Sequence, residues 1–240
     1  MWIEPDWALP PGVRAAMTTR QGGCSIAPYD ALNLGTHVGD RPEAVAANRL
    51  ALLRSLGVGV IAWLEQVHGN DVADIDLAGW DSVHRADAAI ASRPGIAVAI
   101  MVADCLPVLM ALQDGRRVAG VHAGWRGLAN GVIGRTLAAM EAPGAEVECW
   151  LGPSISAARY EVDATVRSAF GTEVSHCFSA TTPGHYLMDL AAIAEVQLRD
   201  AGVLHVRHAG RCVFDSPEQW FSHRRDGITG RCAALIWREG

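Results

Sequence analysis

Short apolar runs recur along this chain, and polar punctuation cuts them into strands and helices. Runs at 13–19 (VRAAMTT), 61–67 (IAWLEQV), 72–75, 87–91, 97–102, 108–112, 118–121, 147–151, 203–208 and 233–237 predict strands. Turns at Ser92-Arg93-Pro94-Gly95 and Asp114-Gly115 separate neighbouring runs. Helical spacing predicts a helix over 42–56, with Pro42 in its first turn and Gly57 at its end. A second is predicted around 130–140 and a third over 163–170. A fourth spans 190–201, with Asp189 as N-cap and Gly202 as its stop. Residues 20–39 are rich in Gly, Asn and turn formers, a loop longer than connections usually are unless they serve a function. Mixed strands and helices in this order predict an α/β or α+β sandwich in one domain over residues 1–240.

Composition narrows the picture. Half of the residues are apolar, ample for a core, and a net charge of -6 argues against a nucleic-acid binder, which needs a positive field. No apolar run is long enough to span a bilayer, and the N-terminal MWIEPDWALPPG lacks the apolar stretch of a signal peptide. Oligomeric state is not legible. The six cysteines (Cys24, Cys105, Cys149, Cys177, Cys212, Cys232) include no CxxC pair and read as reduced thiols of a cytoplasmic protein. Four or five of them are expected as small buried hydrophobes.

The stretch 118–134, VAGVHAGWRGLANGVIG, reads as a strand ending on His122, a turn of small residues holding Trp125-Arg126, and a helix. Strand ends and helix starts present polar groups to a crevice. His68 and Cys105 also follow apolar runs, at spacings of 37 and 17 residues from one ligand to the next. Two imidazoles and a thiolate suit zinc and leave a fourth position open. A Cys105 nucleophile with His122 or His68 as its base is the competing chemistry, because attack and ligation both use the thiolate. Arg126, beside Gly124 and Gly127, is a candidate anion ligand; the glycines match neither a Walker A loop nor a dinucleotide fingerprint. Arg224, Arg225 and Arg231 read as a solvated basic cluster, and most of the tryptophans as core.

Ordered motifs then point to a family. NLGTHVGD (33–40), Asn48-Arg49, QVHGNDV (66–72), ADCLPVLM (103–110), GVHAGWRG (120–127), LGPSISAARYEV (151–162) and SHRRDGITGR (222–231) resemble the YfiH-like family. That family is also called the multicopper polyphenol oxidoreductase or laccase-domain family, and later a purine nucleoside phosphorylase family. The resemblance runs from about Thr18 to Trp237. Cys212-Val213 and Ser222-His223 depart from the Cys-Thr and Ser-Tyr pairs often found there.

The resemblance implies a single-domain, four-layer α/β/β/α sandwich similar to the catalytic domain of cytotoxic necrotizing factor. It implies a metal site at His68, Cys105 and His122, usually zinc, with copper proposed earlier. Implied activities are phosphorolysis of adenosine, inosine, guanosine and methylthioadenosine, and deamination of adenosine. Arg49, Arg126 and Asn33 are the residues expected to bind substrate or phosphate, so the partners are a small nucleoside and phosphate, not nucleic acid or membrane. The alternatives are a cysteine hydrolase acting on an amide or peptidoglycan precursor, a copper polyphenol oxidase, and a zinc-stabilised binding module. A laccase needs many histidines, and nine with no His-x-His pair are poor material for its copper cluster.

Overall fold

The computed structural model describes residues 1–240. Two large sheets organise the chain. In spatial order, the first contains Trp2–Ile3, Val13–Thr18, Cys232–Arg238, Ile96–Val102 and Val60–Ala62. The second contains His205–His208, Val147–Leu151, Leu106–Leu112, Val118–Ala123, Ala88–Ala91 and Val72–Asp74. Central pairs are antiparallel, and the parallel pairs lie at sheet edges. Ile96–Val102, Leu106–Leu112 and Val118–Ala123 are buried throughout, which is why they read as unbroken apolar runs.

Side chains alternate between separate cores with the period of two that a pleated strand imposes. Val98 and Ile100 meet Leu109, Val118 and Ile236 between the sheets. Ala97, Ala99 and Leu235 meet Leu52 of the helix Pro42–Leu56. On the far side, Val108 and Val121 meet Ile133 of Val132–Met140 and Ile193 of Leu190–Asp200. The sheets approach closely at Gly120, where a Cβ would sit 2.8 Å from Ile100 Cγ1. The architecture is a mixed α/β fold.

Strong local signals hold. The helix Pro42–Leu56 ends on Gly57 at φ 67°, and Asp189 caps Leu190–Asp200 by accepting the Ala192 N–H at 2.9 Å. Two expectations need correction, and one sheet has no counterpart in them. The run 61–67 divides into Val60–Ala62 and Leu64–Glu65, the latter pairing with His84–Arg85 in a separate two-stranded sheet. The turn after His122 is already helical over Trp125–Ala129; Gly131, at φ 77°, breaks it before Val132–Met140. A small sheet of Glu161–Asp163, His185–Met188 and Phe178–Ala180 has no legible signal in the sequence, because strands of three or four residues carry too little period.

Only Cys149, Cys177 and Cys232 are buried; Cys105 and Cys212 are half-buried, Cys24 is exposed, and all six are free thiols. No helix is long and apolar enough to cross a membrane.

Candidate metal centre

Strand register assembles the site. Val121 pairs with Ala88, so His122 and Asp87 follow as opposite neighbours, and the His122 N–H donates to the Asp87 carbonyl at 2.7 Å. On the other edge of the same strand Ala123 pairs with Leu106, which sets Gly124 against Cys105. A Cβ at Gly124 would lie 3.0 Å from Cys105 Sγ and 3.1 Å from His68 Cδ2, so only glycine leaves this cradle open.

His68 arrives from the turn after Leu64–Glu65, in the left-handed region at φ 60°. The carboxylate of Asp87, fully buried, captures that turn by accepting the N–H groups of Val67 (3.1 Å), His68 (2.9 Å) and Gly69 (2.6 Å). The same carboxylate faces His122 Nδ1 at 2.8 Å. One acidic side chain therefore orients the His122 imidazole, the arrangement by which outer-shell carboxylates fix a ligand's tautomer, and holds the backbone turn that carries His68. It leaves Nε2 as the free nitrogen of His122.

The ligand atoms of His68, Cys105 and His122 all lie within 4.8 Å of one another, and Cys105 Sγ is 3.9 Å from His68 Nε2. The imidazoles meet edge to face, with centroids 4.7 Å apart. Burial alone would push the Cys105 thiol up, but His122 and His68 overcome it and bring it down to about 6. Burial works against a charged His122, yet the Cys105 thiolate and the Asp87 carboxylate raise it to about 9. Asp87 lies below its ordinary value because His122 and the turn N–H groups outweigh its burial. The donor set is two nitrogens and a readily ionised thiol, and it fits a divalent ion such as zinc with one position left over.

A cavity of about 360 Å³ opens above these three residues, within the usual range for small-molecule sites. Its charged lining is mostly cationic, with Arg126, Arg224 and Arg231; its one acid is Asp104. Both Asp104 oxygens are engaged, accepting Ser222 O–H at 2.5 Å and the Arg224 N–H at 2.6 Å. Tyr160 also lines the cavity, its hydroxyl pushed up to about 12 by burial and then by the Cys105 thiolate. His37 is held below its ordinary value by burial, then by Arg231 and Arg49.

The structure brings His68, Cys105, His122 and Arg126 together and separates the other two expected residues from them. Asn33 is fully buried, and its amide is spent within the fold: it donates to Gly35 O and Asp40 Oδ2 and accepts the N–H groups of Gly35 and Arg231. Arg49 sits in an adjoining compartment behind His37, Gln66 and Met101, over the Trp63 ring at 3.9 Å. Its Nε donates to Leu34 O, and burial lowers it to about 10.

The basic cluster is not simply solvated. Arg225 binds the carbonyls of Val213, Phe214 and Trp220, while Arg224 and Arg231 face the cavity, and the segment meets the Asp104 carboxylate beside Cys105 through Ser222 and the Arg224 N–H. Asp87, Asp104 and Tyr160 are not among the residues the sequence singles out for the site, and Gly124 is singled out only as a neighbour of Arg126. Their one local signal is position: Asp87 and Asp104 stand next to apolar strands.

The chain matches, over residues 14–239, the family described as multi-copper polyphenol oxidoreductase laccase. It is 44% identical over 240 residues to a protein of Pseudomonas aeruginosa named purine nucleoside phosphorylase, covering 98% of each chain. It is 42% identical over 239 residues to the purine nucleoside phosphorylase YfiH of Escherichia coli, again over 98% of each. Among solved structures, a Neisseria meningitidis protein of family DUF152 superposes with a TM-score of 0.95 at 43% identity, covering 100% of this chain and 99% of that one. YlmD of Geobacillus stearothermophilus gives 0.94 at 31% identity, over 100% and 96%.

Proposed function

The chain belongs to the multi-copper polyphenol oxidoreductase laccase family, and we propose that it is a zinc-dependent purine nucleoside enzyme. Its reactions are phosphorolysis of adenosine, inosine, guanosine and methylthioadenosine, and deamination of adenosine. One observation carries this reading: the His68–Cys105–His122 cluster lies under a cavity whose arginines outnumber its one, fully engaged, carboxylate. Such a lining favours an anionic co-substrate.

In phosphorolysis a phosphate oxygen bonds to the ribose C1′ as the C1′–N9 bond breaks. The purine leaves with that electron pair and takes up a proton. Arg126 is the phosphate ligand of choice because it lines this cavity; Arg49 reaches only a ligand that extends past His37. In deamination, water adds at C6 and ammonia leaves. His68, Cys105 and His122 hold the zinc ion, with Asp87 keeping His122 in its ligating tautomer; bound there, zinc supplies Lewis acidity. The same reading takes residues 1–240 as one domain, a four-layer α/β/β/α sandwich similar to the catalytic domain of cytotoxic necrotizing factor, supported by the three separate cores. It places the protein in the cytoplasm, supported by its six free thiols.

Copper oxidase chemistry is disfavoured. His68, Cys105 and His122 are the one group of three or more candidate ligands, and a laccase needs a further copper cluster. A second reading has a specific observation behind it: Cys105, His122 and Asp87 line up as nucleophile, base and orienting acid, as in a cysteine hydrolase of amides or peptidoglycan precursors.

Zinc-loaded protein incubated with adenosine and phosphate is expected to release adenine, inosine or hypoxanthine, with no turnover by Cys105→Ala. Equal release by both proteins refutes the proposal. An acyl-enzyme trapped on Cys105 in zinc-free protein would transfer the argument to the hydrolase.

A further inference from the structure

We infer that Asp104 is a positioning residue, which clamps the arm carrying His223 and Arg224 over the cavity. Three segments distant in sequence meet at this one side chain and its carbonyl. The Asp104 carboxylate accepts Ser222 O–H at 2.5 Å and the Arg224 backbone N–H at 2.6 Å, bridging 118 and 120 residues of chain. Its carbonyl accepts the Ile155 N–H at 2.9 Å, tying in the segment that leads to Tyr160. Ser222 Oγ in turn accepts the Arg225 N–H at 3.3 Å, so the residue that Asp104 grips is also the N-cap of the short helix His223–Asp226.

The backbone is strained at this position. Asp104 stands at φ 102°, a region that side chains other than glycine rarely adopt. Glycine would relieve the turn before Cys105 and cost the carboxylate. Strain of this kind persists where surrounding structure over-determines it, typically beside a functional site. The clamp explains how a four-residue helix with no buried residue of its own keeps two side chains at the cavity. Arg224 has little else to hold it: its guanidinium donates to Glu161 O at 3.1 Å and lies 4.9 Å over the Tyr160 ring. The arm thus brings an arginine to the site, and its two donors to the cavity's one carboxylate offset part of the repulsion that carboxylate exerts on an anion.

The test compares Asp104→Ala, Asp104→Gly, Asp104→Asn and Ser222→Ala with the wild type as zinc-loaded full-length chains. Amide hydrogen exchange is measured by segment, together with zinc content and the kinetics of phosphorolysis with inorganic phosphate. Losing two bonds to a charged acceptor is expected to raise exchange over 222–226 roughly tenfold or more in the Ala and Gly variants. Exchange over Val118–Ala123 and zinc content stay at wild-type values. The KM for phosphate rises about tenfold while kcat changes less, as loss of a positioned anion ligand requires. Asp104→Asn, which keeps one acceptor oxygen, falls between, and Ser222→Ala follows the same direction.

Unchanged exchange over 222–226 in the Ala and Gly variants overturns the inference. So does an equal rise across the whole chain, which marks a general role in folding. Should a variant fail to fold, Asp104→Asn and Ser222→Ala decide on the same readout. The kinetic half rests on the phosphorolysis reading, and the exchange half does not. A wild type without phosphorolysis therefore removes that reading, while exchange over 222–226 still upholds or overturns the clamp.

Discussion

Replacing Asp87 by asparagine tests the logic of the centre most directly, because it keeps the shape and changes only the hydrogen-bond pattern. One carboxylate oxygen accepts the His68 N–H and faces His122 Nδ1; the other accepts the N–H groups of Val67 and Gly69. An amide can put its NH₂ in either place. Set toward Val67 and Gly69, it opposes two donors with a third. Set toward His122, it faces the His68 N–H and forces Nδ1 of His122 to become the acceptor, which moves the proton to Nε2, the nitrogen the metal needs. The first route forfeits two bonds to a buried charged acceptor and the second forfeits one and reverses another, at roughly 1.5–3 kcal/mol per bond lost. The expected cost is therefore roughly 1.5–6 kcal/mol of stability in the zinc-free protein, a large share of the whole for a typical domain. Zinc affinity is expected to drop by about 10–100-fold. Urea denaturation of the zinc-free protein and competition with a chromophoric chelator read the two effects separately. An Asp87→Asn protein with a wild-type midpoint and zinc affinity within about twofold of wild type would refute the claim that this carboxylate organises the site.

Three further outcomes follow from the same geometry. Gly124→Ala inserts a Cβ 3.0 Å from Cys105 Sγ at an ordinary φ of −72°, so zinc affinity is expected to fall at least tenfold while the urea midpoint moves little; unchanged affinity contradicts the cradle. In zinc-free protein, alkylation of Cys105 is expected to be near its plateau at neutral pH and to be lost as pH falls through about 6, since a depressed thiol keeps its thiolate above that value; His122→Ala should move the midpoint upward, and a wild-type midpoint near 9 would contradict the pairing. Asn33→Ala removes four buried hydrogen bonds and is expected to cost about 2–4 kcal/mol in urea denaturation, whereas a residue that merely touched substrate would alter KM with stability intact.

The chain's own pattern determined the elements whose signals are local. Pro42 and Gly57 bracket the first helix, Asp189 and Gly202 the last long one, and the apolar runs at 97–102, 108–112 and 118–121 read as the strands that the structure buries at Ile96–Val102, Leu106–Leu112 and Val118–Ala123. It also singled out His68, Cys105 and His122 as residue types able to share a metal, because donor chemistry is a property of the side chain. Their convergence is a matter of register. Pairing Val121 with Ala88 and Ala123 with Leu106 decides that Asp87 faces His122 and that Gly124 leaves room for Cys105, and no local period encodes which strand lies beside which. Arg49 and Asn33 show the same division. Both are polar residues in suggestive motifs, yet packing stacks Arg49 on Trp63 in an adjoining compartment and seals Asn33 beneath the backbone of Arg231. The basic segment 222–231 read as surface because charge alone predicts solvation. Asp104, more than 100 residues away in sequence, folds it over the cavity, and hydrogen bonds across such separations form only once the sheets have set the distances.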